Sequence, residues 1–241
     1  MEQNVAHLDW DTNFFGFGVA RIMQADLDDA ELSQILGILR SRSYRLVYWQ
    51  IPASRSQLSL MAQARGGFLA DEKITYVKEL VEASGPRYAA TYTINPYSSS
   101  VPDEAMIKLA LQSAEHSRFR HDPIISQDLC DKLFTYWVTR SVSKEIAWEV
   151  LVASEQNELL GFITLGEKGV RADIGLVAVA DFVRGKGIGK ALVTNAGKKF
   201  LEKGYAHVQV VTQKRNLGAC GLYSSCGYKI ESVENVFHFW L

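Results

Sequence analysis

The chain has 241 residues, of which 47% are hydrophobic and 22% charged, and its formal net charge is -1. That balance argues against disorder, and near-neutral charge without a basic tract argues against nonspecific nucleic-acid binding, which needs Lys and Arg to displace counterions. No apolar run approaches the ~20 residues that span a bilayer, and the opening MEQNVAHLDWD is too polar for a signal peptide, so a cytoplasmic protein without a membrane partner is expected.

This length suits one large or two modest domains. Leu32, Ile35, Leu36 and Leu39 follow helical spacing behind Asp28, Asp29 and Glu31, and Leu46 to Ile51 is a β-rich run ended by Pro52. Leu58, Met61 and Ala62 suggest a second helix stopped by Gly66 and Gly67, and Ile74 to Leu80 alternates as a strand. The break Ser84-Gly85-Pro86 divides residues 1–84, a smaller α/β domain, from a second domain at 85–241. A short run from Ala89 to Ile94 follows.

Beyond it come a predicted helix from Asp103 to about Ala114, a loop from Ser117 to Ser126 and a helix from Gln127 to Arg140. Strands are predicted near Trp148–Ser154, Leu159–Gly166 and Arg171–Val179. The pattern then becomes strand, glycine loop, helix, strand, helix. Cys130, Cys220 and Cys226 lack metal-ligand spacing and read as reduced, buried thiols. His116 and His121 also lack a metal spacing, and no metal is expected.

The apolar run Asp173 to Val179 leads into Arg184-Gly185-Lys186-Gly187-Ile188-Gly189 at the head of a helix. Unpaired amides and a partial positive charge at a helix N-terminus, with glycines that admit a phosphate, make this an anion site that Arg184 and Lys186 would reinforce. It is not a Walker A loop, which would need Gly at 184 and Ser or Thr at 191, where Arg184 and Ala191 stand. Nor is it the dinucleotide fingerprint, since Lys190 occupies the place of its third Gly. After the strand Ala206 to Thr212, Asn216 can cap a second helix that carries Ala219, Leu222 and Tyr223 and ends at Cys226-Gly227.

Arg184-x-x-Gly187-x-Gly189 followed by Asn216-x-x-Ala219-x-x-x-Tyr223-x-x-x-Gly227-Tyr228 resembles the acetyl-CoA signature of the GNAT N-acetyltransferases. The resemblance implies an α/β fold with a central mixed, mostly antiparallel sheet flanked by helices. It implies acetyl-CoA or another acyl-CoA as co-substrate, its pyrophosphate on the loop amides and its pantetheine along Val177, Ala178 and Val179. Asn216 and Ala219 would steady that arm, and a backbone N–H at a bulge would polarise the thioester carbonyl. Tyr223 is the expected acid for the departing thiolate, because its ordinary pKa of about 10 lies near a thiol's. Glu167 and Asp173 are candidate bases beside the central strands, with an ordered water as the alternative.

Other segments resemble the dTDP-fucosamine acetyltransferase branch of that family: Trp10-Asp11-Thr12-x-Phe14-Phe15-Gly16, Ser117-Arg118-Phe119-Arg120 with Tyr136-Trp137, and the tail Val236 to Leu241. The resemblance implies a dTDP-linked amino sugar as acceptor. Arg118 and Arg120 would pair with its diphosphate while Phe119 or Trp137 stacks on a ring. Acylation of another small amine or a protein N-terminus, and a non-catalytic acyl-CoA sensor, remain alternatives. A homodimer through exposed strand edges is compatible with the sequence.

Overall fold

The computed structural model describes residues 4–81 and 91–241, so the Ser84-Gly85 boundary and part of the run Ala89 to Ile94 lie outside the described residues. The chain divides into a unit of Met1–Ile74 with Ser232–Leu241 and a unit of Thr75–Glu231. Strands β4 (Phe68–Glu79) and β10 (Lys229–Trp240) each run through a boundary between them. The class is α/β, as expected.

The first unit opens with β1 (Val5–His7), α1 (Asp9–Phe15) and β2 (Gly18–Ile22), none of which has a strong periodic signal. Helix α1 ends where Gly16 turns left-handed at φ 74°. Helix α2 (Asp29–Ser41) buries Leu32, Ile35, Leu36 and Leu39, the four residues that predicted it. Asp28 caps it: its Oδ1 accepts from the Glu31 amide at 2.8 Å, and the Glu31 carboxylate accepts from the Asp28 amide at 2.8 Å. Such a capping box contributes about 1 kcal/mol by satisfying amides that the helix geometry leaves unpaired.

Strand β3 (Tyr44–Pro52) lies parallel to β2, with pairing from Gly18↔Tyr44 to Ile22↔Trp49. Helix α3 (Ser56–Ala64) stops before Gly66, at φ 85°. In this unit the strand order is β1-β2-β3-β10-β4. Its core is Ala20, Ile22, Val47, Trp49 and Ile51 from the sheet, the apolar stripe of α2, and Phe237 and Phe239 from β10.

Two expectations change here. Strand β4 begins at Phe68, six residues before the predicted Ile74, because Asp71-Glu72-Lys73 interrupts the apolar pattern without interrupting the strand. Asp71 is buried, and Lys73 pairs with Glu234 at 2.7 Å. Residues 232–241, read with the second domain, belong to the first unit, where β10 pairs antiparallel with β3 from Glu234↔Pro52 to Trp240↔Leu46.

The second unit contains β5 (Thr93–Pro96), α4 (Glu104–Ser113), α5 (Arg118–His121) and α6 (Gln127–Val142). Strands β6 (Glu149–Glu155), β7 (Glu158–Lys168) and β8 (Arg171–Val179) follow, then α7 (Ile188–Glu202), β9 (His207–Gln213) and α8 (Leu217–Ser225). Asp103 caps α4 through the Met106 amide at 2.8 Å, and Ser126 caps α6 through the Leu129 amide at 3.2 Å. Gln156 and Asn157, at φ 48° and 68°, make the tight turn between β6 and β7.

The order in this unit is β9-β8-β7-β6-β5, with the end of β4 beside β9. Only β8 and β9 are parallel among the register pairs described here, so the expected mixed, mostly antiparallel sheet is observed. Helix α7 buries Ile188, Leu192, Val193, Ala196 and Phe200 along one stripe. Burying a leucine or phenylalanine contributes about 1.5–3 kcal/mol, so truncating Phe200 to Ala would cost about 3–5 kcal/mol and loosen the helix that carries the glycine loop.

The segment read as a loop from Ser117 holds the short helix α5, because the Ser117 hydroxyl accepts from the Arg120 amide at 3.2 Å and starts a helical turn. Among the described residues no helix is long and apolar enough to cross a membrane.

Candidate functional site

Strands β8 and β9 pair from Ala172↔Val208 to Ile174↔Val210 and no further, although β8 runs on to Val179 and β9 to Gln213. Beyond Ile174 the β8 edge is therefore open. On the opposite edge, β7 is paired with β8 to Gly161↔Val179, with one irregularity: Thr164 faces both Gly175 and Leu176, as pairing passes from Leu165↔Ile174 to Ile163↔Val177.

Backbone direction along this edge follows from the bonds made. The Leu176 amide donates to Thr164 Oγ1 at 2.8 Å and the Ala180 amide to the Leu160 carbonyl at 2.9 Å, both toward β7. Successive strand residues turn their N–H and C=O to alternate edges, so Val177 and Val179 face the side that β9 has left. Val177, Ala178 and Val179 were read together as the pantetheine-pairing run. The alternation gives Val177 and Val179 to the open edge and Ala178 to β7.

The glycine loop follows directly. Gly185 and Gly187 are left-handed at φ 79° and 83°, conformations that a side chain would strain. Within residues 184–189 the Arg184 amide donates to Asp181 O at 3.2 Å and the Lys186 amide to Val183 O at 3.4 Å. The amides of Gly185, Gly187, Ile188 and Gly189 have no backbone acceptor among the described residues, and no side chain caps α7 at Gly187. The first helical bond is Ala191 N–H to Gly187 O, at 3.0 Å. This is an unplugged helix mouth with its partial positive charge exposed.

Gly189 is closely packed as well. A Cβ there would lie 3.2 Å from Leu222 Cδ2 and 3.6 Å from Val179 Cγ2, so the first turn of α7 sits hard against α8 and the end of β8. The Arg184 guanidinium pairs with Asp181 at 2.7 Å while its Nε donates to the Val179 carbonyl at 3.3 Å. It thus lies over the end of the open edge, with its charge partly compensated.

Helix α8 forms the second mouth. Asn216 caps it through Oδ1, which accepts from the Ala219 amide at 3.0 Å, so both predicted residues serve this cap. Tyr223 is buried at 4% exposure, and its ring centroid lies 5.8 Å from those of both Tyr76 and Tyr228. Burial pushes its phenol well above the usual tyrosine range, with Cys226 and Cys220 adding to the shift. That modifies the expected role: a phenol this weakly acidic stays protonated and acts first as a hydrogen-bond donor. Cys220 and Cys226 are half-buried rather than buried, and burial raises the Cys226 thiol.

The candidate bases are engaged. Glu167 accepts from the Tyr205 hydroxyl, and Asp173 accepts from Gln209 Nε2 at 2.9 Å. Burial raises the Asp173 carboxyl above its ordinary range, against the opposing Gln209 bond and Lys168 charge.

The predicted acceptor residues are arranged differently from the expectation. Phe119 is buried with its ring edge-on to Trp137 at 6.0 Å, and Trp137 also packs on Phe134 at 5.0 Å. Arg118 covers Phe119 at 4.6 Å, and Arg120 turns to α6, where it pairs with Asp131. Because the segment coils into α5, the two guanidiniums do not flank an exposed ring, and Phe119 is a core residue. His121, at the end of α5, is held below the usual histidine range by burial and by the charge of Arg215, which immediately precedes Asn216.

Sequence reasoning missed Thr164, Tyr76 and Lys78, whose Nζ donates to the Cys226 carbonyl at 2.7 Å. None belongs to a motif. Gly175 inside an otherwise apolar strand was the available signal for the irregularity at Thr164.

Residues 115–228 match the family model described as "Acetyltransferase (GNAT) family". Spore coat polysaccharide biosynthesis protein SpsD of Bacillus subtilis (strain 168) is 27% identical over 137 residues, 57% of this chain and 47% of that protein. N-acetyltransferase 8B of Homo sapiens is 32% identical over 111 residues, 43% of this chain and 48% of that one. The matches thus span about half the length of these relatives. Among solved structures, a GCN5-related N-acetyltransferase from Sphaerobacter thermophilus superposes with a TM-score of 0.64 at 15% identity, covering 98% of this chain and 76% of that one. Residues 115–228 are thus similar to the GNAT acetyltransferase family, and the chain, in which an open strand edge leads to an uncapped, glycine-started helix, shares the fold of a GCN5-related N-acetyltransferase.

Proposed function

We propose that this chain is an N-acyltransferase that moves an acetyl or other small acyl group from coenzyme A to the amino group of a nucleotide-linked amino sugar. The acceptor of this reading is a dTDP-linked aminodideoxyhexose used in building a bacterial surface polysaccharide. The observation that carries the acyl-coenzyme assignment is the unplugged N-terminus of α7 at the end of the open β8 edge. Residues present there fit the co-substrate: four unpaired amides and two basic side chains for a pyrophosphate, and strand edge groups for an amide-bearing arm.

In this reading the amides of Gly185, Gly187, Ile188 and Gly189 bind the pyrophosphate, while Val177 and Val179 orient the pantetheine from the β8 edge. Asn216 and Ala219 set the start of α8, and through it the height of Tyr223. The coenzyme supplies an activated thioester. The acceptor nitrogen forms the new amide bond with its lone pair, the carbon–sulfur bond breaks, and the nitrogen's surplus proton leaves to water. Tyr223 donates a hydrogen bond to the departing thiolate, which takes up from water the equivalent of the proton that the nitrogen gave, and is released as a thiol.

Two observations support a sugar nucleotide. The name of SpsD says that it serves polysaccharide biosynthesis. Arg118 lies one turn before His121 in α5, a histidine held below its usual range by burial and then by the charge of Arg215, and this reading assigns the acceptor diphosphate to these two arginines. Incubation with acetyl-CoA and a panel of amino-sugar nucleotides, followed by thiol release, tests the reading. One thiol per amide formed on a dTDP-amino sugar is expected. Turnover on peptides or free amines, with none on any sugar nucleotide, would reject the sugar.

A further inference from the structure

Thr164 is 2% exposed in the middle of β7, where its neighbours from Leu160 to Leu165 are apolar or glycine. A hydroxyl in such a strand needs a partner, because burying it unpaired is unfavourable. Its partner is the Leu176 amide at 2.8 Å. Opposite stands Gly175, where an added Cβ would lie 2.7 Å from the same Oγ1 and force it aside. The glycine and the hydroxyl therefore fit one another, and together they occupy the irregularity at which two β8 residues face one β7 residue.

This contact has a consequence for the open edge. By drawing the Leu176 amide toward β7, it leaves Val177, the next residue, facing the side where β9 has departed. Ile174 is the last β8 residue paired with β9, so Val177 lies early along the free edge, ahead of Val179 and the pyrophosphate loop. We propose that Thr164 is a positioning residue: its hydroxyl pins the Gly175–Leu176 bulge so that the Val177 amide points into the crevice and donates to the carbonyl oxygen of the acyl thioester. Thr164 touches no substrate itself. The proposal rests on the reading of this crevice as the acyl-coenzyme site.

The test compares binding of acetyl-CoA with S-ethyl-coenzyme A, in which a methylene replaces the thioester carbonyl. One neutral hydrogen bond corresponds to about a fivefold preference for acetyl-CoA in the unaltered protein and in Thr164→Ser, which keeps the hydroxyl. In Thr164→Val the two ligands should bind equally, with affinity for S-ethyl-coenzyme A held within about twofold, since the rest of the site is untouched. Gly175→Ala, which crowds the hydroxyl without removing it, should lose the preference too and stands in if Thr164→Val does not fold. Turnover should show a lower kcat with an unchanged KM for the acceptor. A preference that survives in Thr164→Val, or its absence from the unaltered protein, overturns the proposal. Failure of the unaltered protein to bind either ligand is a different result, which removes the coenzyme reading and the proposal with it.

Discussion

The two units contain the same run of elements, with opposite chemistry at the helix mouth. The first has β2, α2, β3, α3 and β4, with β2 parallel to β3. The second has β8, α7, β9 and α8, then passes into β10, with β8 parallel to β9. Helix α3 and helix α8 are each nine residues long, and β4 and β10 each twelve. In the first unit the mouth of α2 is filled by Asp28 and Glu31, with Asp29 adding a further carboxylate. In the second the mouth of α7 carries Gly187, with Arg184 and Lys186 just before it. The strands differ likewise: β2 and β3 stay paired to the end of β2, whereas β8 and β9 part after Ile174. A helix N-terminus can thus receive an anion where no carboxylate of its own satisfies the amides and the neighbouring strands leave room.

Giving the second mouth the chemistry of the first should have the largest effect on coenzyme binding. Gly187→Asp strains the left-handed turn at φ 83° and brings a carboxylate to the amides of α7, and by the two together a loss of about 2 kcal/mol, roughly 30-fold in acetyl-CoA affinity by calorimetry, is expected. Titration of the unaltered protein should saturate at one coenzyme per chain, since the mouth of α2 is already occupied by its own side chains.

Tyr223→Phe should lower kcat by about 100-fold while coenzyme affinity stays unchanged, because donation to the departing sulfur matters during transfer and not during binding. The phenol also links stability to pH. Its pKa is raised in the folded chain, so its contribution is complete below the unfolded value of about 10 and is lost as pH rises beyond it. Tyr228 is raised in the same way, chiefly by burial. Equilibrium denaturation above pH ~10 should therefore show a steeper loss for the unaltered protein than for Tyr223→Phe.

The smallest effect belongs to the first mouth. Asp28→Ala removes the capping box, worth about 1 kcal/mol, and should lower the melting temperature by about 2–4 °C with no change in acetyl-CoA affinity.

What could be read in the sequence was local. Asp28, Leu32, Ile35, Leu36 and Leu39 announce α2 through a cap and a stripe, and Arg184 to Gly189 with Leu192, Ala196 and Phe200 announces α7 and its mouth in the same way. What could not be read depends on partners distant in the chain. Phe68 to Lys73 is a strand because neighbours stabilise it despite three successive charged residues, and Lys73 finds Glu234 more than 150 positions away. Residues 232–241 follow the second domain in order but pair with β3 of the first unit. Arg118-Phe119-Arg120 looked like a ligand surface because spacing alone does not tell which of three neighbours turns inward. A helical turn and the packing of Trp137 put Phe119 in the core. Thr164 carries no motif, and its place opposite Gly175 exists only through the register of β7 on β8.

The most direct measurement is a residue-resolved amide spectrum of nitrogen-15 labelled protein titrated with acetyl-CoA. Gly185, Gly187, Ile188 and Gly189 should show the largest shifts, while Asp29, Ala30 and Glu31 at the mouth of α2 stay in place. Equal shifts at both mouths, or a loop at residues 184–189 unmoved at saturation, would contradict the account.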